Sequence, residues 1–456
     1  MSRGLERYLL LYIPWVLAYL LRADPVMSYF ISWLGSFYIF YMCYTGKIKP
    51  MPKDLSVGEQ IMRPVYIVQI IFIGYMACTS IFYFINLISY QDLSLDDKIP
   101  LAAQCQQYYV LGHAAFVTGI LACMKYPVQI KYTYDKSRLA NVLMVMAIVC
   151  LPLSILSNKI PGLSQFYIQL SSLSFFAGTL ALAFAIPLQK LANTAVCGFL
   201  YATNFYQALV SGFKEPIIIS ILVLGIFLYP SYKRTVSIIF IPLLILLFVY
   251  LPTYNQVFRQ NAWADNADSD EAYEAALDAT LNAEGTSNNW DFLVYRLSEV
   301  DMFTTFIQST PEKVDYYGLS LVQQSVYAIV PRIFWPSKPI TEEMVMERVY
   351  DAGVVYRGSA VSAKPAYIVD GYLSGGWLGV LLSLFAYGAV VQLISQKAEE
   401  LFGGYLLGVA LIFSGLFQIV WRGLSFEFMS NSVFWGFITM LVIHRIMVGA
   451  NFLRRV

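Results

Sequence analysis

Residues 235–252 read TVSIIFIPLLILLFVYLP, and shortly afterwards the chain turns polar: residues 264–289 read ADNADSDEAYEAALDATLNAEGTSNN. The first stretch carries no charge and approaches the ~20 residues that a helix needs to cross ~30 Å of hydrocarbon. The second is acidic and alanine-rich, and predicts a solvated helix between flexible ends. Asp268 and Asp270 form a D-x-D there. In a run this acidic, a solvated face is a better reading than a metal–nucleotide site.

Apolar runs like the first fall near residues 6–21, 26–44, 64–89, 104–123, 139–157, 166–189, 193–211, 215–230, 235–252, 370–394, 401–421 and 428–448. They predict an all-α integral membrane protein with about twelve transmembrane helices. Composition agrees, at 58% hydrophobic and 13% charged residues, against about a quarter charged in soluble domains. The run at 193–211 is the weakest, interrupted by Asn193, Asn204 and Gln207. The first two runs predict a retained helical hairpin turning at residues 22–25, since no small-residue cleavage site follows the first.

Lysine and arginine set the expected orientation. With the N-terminus inside, seventeen cations fall in the inner segments, including Lys47, Lys49, Arg63, Lys131, Lys136, Lys397 and Arg454, against five in the opposite short loops. Both ends are then cytoplasmic. The chain divides into an N-terminal bundle of about nine helices (1–252), a large, partly helical outer loop (253–369) between helices 9 and 10, and about three C-terminal helices (370–456). Loops of this length are usually functional. The six cysteines lie in or beside apolar runs without metal-ligand spacing, and neither His113 nor His444 is placed for chemistry outside. No metal or cofactor is expected, and the net charge of +1 gives no basis for nucleic-acid binding.

Within the loop, NWDFLVYRLSEVDMFTTFIQS (289–309) predicts one helix. Arg296 and Glu299 share its face with Phe292, Phe303 and Phe306, either as an i,i+3 pair or as part of a site. GLSLVQQSVYAIV (318–330) predicts a second helix, ended by Pro331, and Thr341 opens a third. Between these two lies VPRIFWPSKP (330–339), a proline-stiffened elbow carrying Arg332, Trp335 and Lys338. Arg357, Lys364 and, between the last two runs, Arg422 complete a set of outer cations. Gly371, Gly375 and Gly379 are spaced for close helix packing. Arginine forks suit phosphate, and the interleaved tryptophans suit either sugar faces or the membrane interface.

The stretches NWDFLVYRLSEVDMF, YYGLS, VPRIFWPSKP and VWRGLSFEF together resemble the O-antigen polymerase (Wzy-type) oligosaccharide repeat-unit polymerases. The motifs cover roughly 290–430; elsewhere the likeness is one of hydropathy and topology. The resemblance implies a bacterial inner-membrane helical bundle with a periplasmic loop. Its implied activity is transfer of a growing glycan from undecaprenyl diphosphate to a lipid-linked repeat unit, without metal or nucleotide sugar. It also implies a chain-length regulator and a flippase as partners. By this resemblance Arg296, Arg332, Lys338 and Arg422 match the family's cationic positions. Related ligases are implied to use an extracytoplasmic histidine, which this chain lacks.

Prolines 331, 336 and 339 fix the elbow, so Arg332 and Lys338 would meet a diphosphate with little ordering cost. Fixed cations stabilise charge that grows on a leaving diphosphate. Arg296, Arg357 and Arg422 join them as expected diphosphate contacts, and Trp335 as a glycan-stacking ring. Glu299 and Glu427 are the candidate general bases, each expected in apolar surroundings. Two other readings stand: a polyprenyl-phosphate-dependent glycosyltransferase using Asp24 or Asp96–Asp97, and a lipid-linked oligosaccharide transporter.

Overall fold

The computed structural model describes residues 4–89, 97–160, 163, 166–211, 214–264, 268–281, 290, 293–359 and 362–456. Among the described residues the protein is all-α apart from a short two-stranded ladder and an isolated bridge between Ala366 and Leu424. The N-terminal half holds α1 (Ile13–Leu20), α2 (Pro25–Tyr44), α3 (Ile67–Ser89), α4 (Lys98–Cys123), α5 (Lys136–Lys159), α6 (Tyr167–Ala185), α7 (Leu191–Leu209), α8 (Lys214–Leu228) and α9 (Lys233–Arg259). Then come α10 (Ser269–Leu281), α11 (Val300–Ser309), α12 (Ser320–Ile329), α13 (Thr341–Asp351), α14 (Tyr367–Leu401), α15 (Leu406–Leu416) and α16 (Phe426–Gly449).

Each of the twelve apolar runs carries helix. Among the described residues six helices are long and apolar enough to cross a membrane: α2, α3, α5, α6, α14 and α16; the bent α9 region makes a seventh if counted as one span. The shortfall has physical causes. Helix α4 is long but carries Gln106, Gln107 and His113, all buried. A helix surrounded by protein needs no apolar perimeter, and α4 is packed by α2, α3, α11 and α14. Gln107 donates to Ser28, and Gln106 accepts from Ser80, whose hydroxyl pairs with Tyr29. Weak as its run is, α7 is a helix: Asn193 bonds Asn141 at 3.1 Å and Asn204 turns back to the Leu200 carbonyl.

The run at 370–394 is not one straight helix. Gly375 and Gly376 leave helical geometry, the latter at φ +62°, a conformation glycine adopts without a steric penalty. Residues 367–374 fold back along 377–401, so the Tyr367 and Tyr387 ring centroids are 4.8 Å apart. A Cβ on Gly379 would come within 2.1 Å of the Gly371 carbonyl oxygen, so these glycines do permit close packing, between the arms of one hairpin.

One end of the bundle gathers the segments that the charge bias grouped together. Strand β1 (Tyr132–Tyr134) pairs antiparallel with β2 (Leu453–Arg455). Lys49 donates to the carbonyls of Leu121 and Met124, and Lys131 pairs with Glu400. At the other end, α11 to α13 pack onto the hairpin and α16. The expected single helix over 289–309 is broken. A π-turn, Leu293–Leu297, precedes α11, and the chain is non-helical at 298–299. Asp291 and Phe292 lie outside the described residues. The acidic run does form a helix, but α10 is not solvated all round: Ala272 and Ala276 are buried against Tyr254 and Phe258 of α9.

Candidate functional site

Tyr75 sits on a π-turn (Ile73–Cys78) inside α3, the kind of irregularity that often marks a functional position. Its hydroxyl donates to Glu299 Oε1 at 2.5 Å. Glu299 is the residue just before α11, placed there by burial of Val300, Phe303, Phe306 and Ile307 along that helix. Tyr75 lines a narrow cleft with Tyr367, Tyr387, Trp421 and Arg422. The cleft has a cavity volume of about 20 Å³, enough for one water or one hydroxyl group. Trp421 is 4% exposed and its indole N–H has no partner among the described residues.

Arg422 ends the short helix Ile419–Arg422 and is capped by Gly423 in the left-handed region. It is half exposed and bonds Glu215 Oε2 at 2.6 Å through Nη1. A guanidinium has five N–H donors, so this pairing leaves others for a ligand. Two residues singled out from sequence, Glu299 and Arg422, therefore meet around Tyr75.

Glu427 is placed differently. It is fully buried, and both its oxygens accept from Arg348, at 2.9 and 2.8 Å. Arg348 also forks onto both oxygens of Asp370, at 2.9 Å each, and Asp370 accepts from the Phe426 backbone N–H. The surroundings of Glu427 are ionic, not apolar as expected. Burial works against the Arg348 charge, but Asp370 and then Glu427 outweigh it and hold its pKa above the ordinary arginine value. This trio ties α13 to the hairpin and to the start of α16.

The elbow is ordered by its own bonds. Phe334 N–H and Trp335 N–H donate to the Pro331 carbonyl, and Lys338 N–H to that of Trp335. Lys338 does not face outward: it is 9% exposed and its ammonium donates to the Ala328 and Val330 carbonyls, at 2.7 and 2.9 Å. It caps the end of α12, whose last carbonyls would otherwise lack partners. Burial, and after it the neighbouring Arg332, lower the Lys338 pKa. Arg332 is exposed and reaches the Pro339 carbonyl at 3.4 Å. Trp335 is half-buried, edge-on to Tyr327.

Exposed Arg357 is held by Glu347, at 2.9 and 2.6 Å, and by Asp351 at 3.2 Å. Lys364 pairs with Glu342 at 2.8 Å. Arg296 lies on the π-turn, and its side chain is outside what the structure describes. Asp24 caps α2 by accepting from the Met27 N–H, while Asp96 lies outside the described residues. No group of three or more metal-ligating side chains occurs among the described residues.

Sequence reasoning missed Tyr75, Glu215, Arg348 and Asp370. Arg348 did leave a signal: with Val345 and Val349, both buried, it shares one apolar helical face. Nothing comparable marks Tyr75, whose partner lies more than two hundred residues away.

The structure thus defines a helical bundle whose apolar helices fit a membrane-embedded protein, with a small, mostly apolar cleft, into which Tyr75 and Arg422 bring polar groups, beside the α14 hairpin. The chain belongs to the family described as Domain of unknown function (DUF8712), which matches residues 13–455. No curated protein and no solved structure matches it.

Proposed function

We propose that the protein is a bacterial inner-membrane glycosyltransferase of the Wzy type. It polymerises undecaprenyl-diphosphate-linked repeat units into surface polysaccharide at the periplasmic face. In this reading both termini are cytoplasmic, the chain crosses the bilayer about twelve times, and residues 253–369 form the periplasmic loop. A chain-length regulator and a flippase would work beside it.

The observation that carries this reading is that Tyr75, whose hydroxyl is bonded to the Glu299 carboxylate, lines a hydroxyl-sized void together with Arg422. The acceptor sugar's hydroxyl enters that void and attacks the anomeric carbon of the donor glycan. Its proton passes across the Tyr75 hydroxyl to Glu299. The bond from the anomeric carbon to the diphosphate oxygen breaks with its electron pair, and undecaprenyl diphosphate leaves. Arg422, with Arg332 on the elbow, meets the charge that grows on that oxygen. Glu299 is preferred to Glu427 as the base because Glu427 has both oxygens on Arg348. Lys338 and the Arg348 trio act by holding the elbow and hairpin in place.

The test is glycan chain length in a producing strain carrying Arg332→Ala, Arg332→Lys or Arg422→Ala. The expected outcome is single repeat units on the lipid carrier at the outer leaflet. Unchanged long chains in both alanine variants would remove these arginines from the reaction, and units trapped at the inner leaflet would point to transport.

A further inference from the structure

At the end of the bundle away from the elbow, near Glu399 of α14, lies a second cavity of about 580 Å³. This is within the usual range for a small-molecule site. Its walls differ in character. One is apolar, formed by Leu180 and Phe184 of α6 and Ile226 and Phe227 of α8. The other carries Asp54, Glu59 and Lys136.

Behind the polar wall is a built ionic cluster. Buried Arg63 bonds Asp54 at 2.7 and 2.6 Å, Glu399 at 2.8 and 3.0 Å, and Gln60 at 2.6 Å. The Tyr126 ring stacks on it, its centroid 4.3 Å from the guanidinium carbon. Arg63 is shared between Asp54 and Glu399, and Glu59 lies within the electrostatic reach of Lys233, so the wall presents both signs of charge close together. Lys136 supplies the opposing positive group at the cavity. Glu59 is held in place by the Ser56 N–H and hydroxyl, at 3.0 and 2.6 Å.

We infer that this cavity binds one phospholipid with a zwitterionic primary-amine headgroup. The ammonium sits against Glu59 and Asp54, the phosphate against Lys136, and an acyl chain lies along the α6–α8 wall. A zwitterionic headgroup answers both signs at once, phosphatidylglycerol carries no ammonium for Glu59, and a choline headgroup has no N–H to donate. The inference rests on this cavity alone and is independent of the glycosyltransferase reading.

The test is native mass spectrometry of the full chain in detergent, titrated separately with dioleoyl phosphatidylethanolamine, phosphatidylcholine and phosphatidylglycerol. The expected result is one saturable phosphatidylethanolamine, bound more tightly than the other two. Glu59→Gln and Lys136→Ala should each weaken it about fivefold, the scale of a partly exposed charge contact. Both changes are at exposed positions, and unchanged melting of each variant checks that the fold is intact. Equal or stronger phosphatidylglycerol or phosphatidylcholine binding, or wild-type affinity in both variants, would overturn the inference.

Discussion

Arg348 and Glu427 are joined by two parallel hydrogen bonds in the interior, one residue from a loop helix and the other from the start of the last apolar helix. Neither is solvated, with side chains 1% and 0% exposed. Removing only the cation would strand Asp370 and Glu427 without compensation. Arg348→Ala should therefore cost about 3–5 kcal/mol, read as a large fall in melting temperature in detergent. The combined Arg348→Met, Asp370→Asn, Glu427→Gln variant should melt well above the single alanine variant, because no charge is then left unpaired.

The close approach of α4 and α14 gives a second expectation. A Cβ on Gly388 would lie 2.0 Å from the Phe116 carbonyl oxygen, whereas one on Gly449 meets nothing within 4 Å. Gly388→Ala should destabilise by about 1–3 kcal/mol or more through overpacking. Gly449→Ala should melt like wild type. The pair of melting curves checks the helix register directly.

Acid sensitivity follows from Asp54. Its hydrogen bond to Arg63 is the leading cause that holds its pKa below the ordinary 3.8, against an opposing contribution from burial. A carboxylate depressed in the folded state contributes stability that is fully present above 3.8 and is lost as pH falls through the lower folded value. Melting temperature should thus decline below pH 3.8. Asp54→Asn should flatten that decline while lowering stability at neutral pH, as a differential titration series would show.

Lys338 and Arg332 share one elbow and should separate by phenotype. Lys338→Met removes both bonds that close the end of α12, so it should lower the melting temperature, with about 1.5–3 kcal/mol per charged hydrogen bond at stake. Arg332→Ala removes an exposed side chain and should leave melting within about 0.5 kcal/mol of wild type while shortening the glycan. Melting curves and glycan gels on the two variants are the check.

Periodicity made the helices legible: the twelve apolar runs all carry helix, and α12 and α13 fall where their flanking prolines and Thr341 put them. The glycine spacing correctly signalled close packing but not that the packing is within one run. Composition reports how apolar a segment is and not which way it turns, so the hairpin at Gly375–Gly376 stayed hidden. Candidate site residues fared according to the range of their partners. Glu299 and Arg422 stand out as charges in apolar stretches, and both lie near the cleft. Tyr75 does not stand out, since one tyrosine in an apolar run looks like any other. Glu427 stood out for the same reason as Glu299, but its partner Arg348 lies in another segment, and only the fold shows that the charge is already matched.

The most direct measurement is turnover of purified protein on undecaprenyl-diphosphate-linked repeat units, comparing wild type with Glu299→Gln. A positioned general base contributes about 10²–10⁴-fold. Glu299→Gln should therefore lose polymerisation by that factor while still binding the donor lipid and melting near wild type. Wild-type turnover in the glutamine variant would contradict the assignment of Glu299 and, with it, of the Tyr75–Arg422 cleft as the place where the glycosidic bond is made.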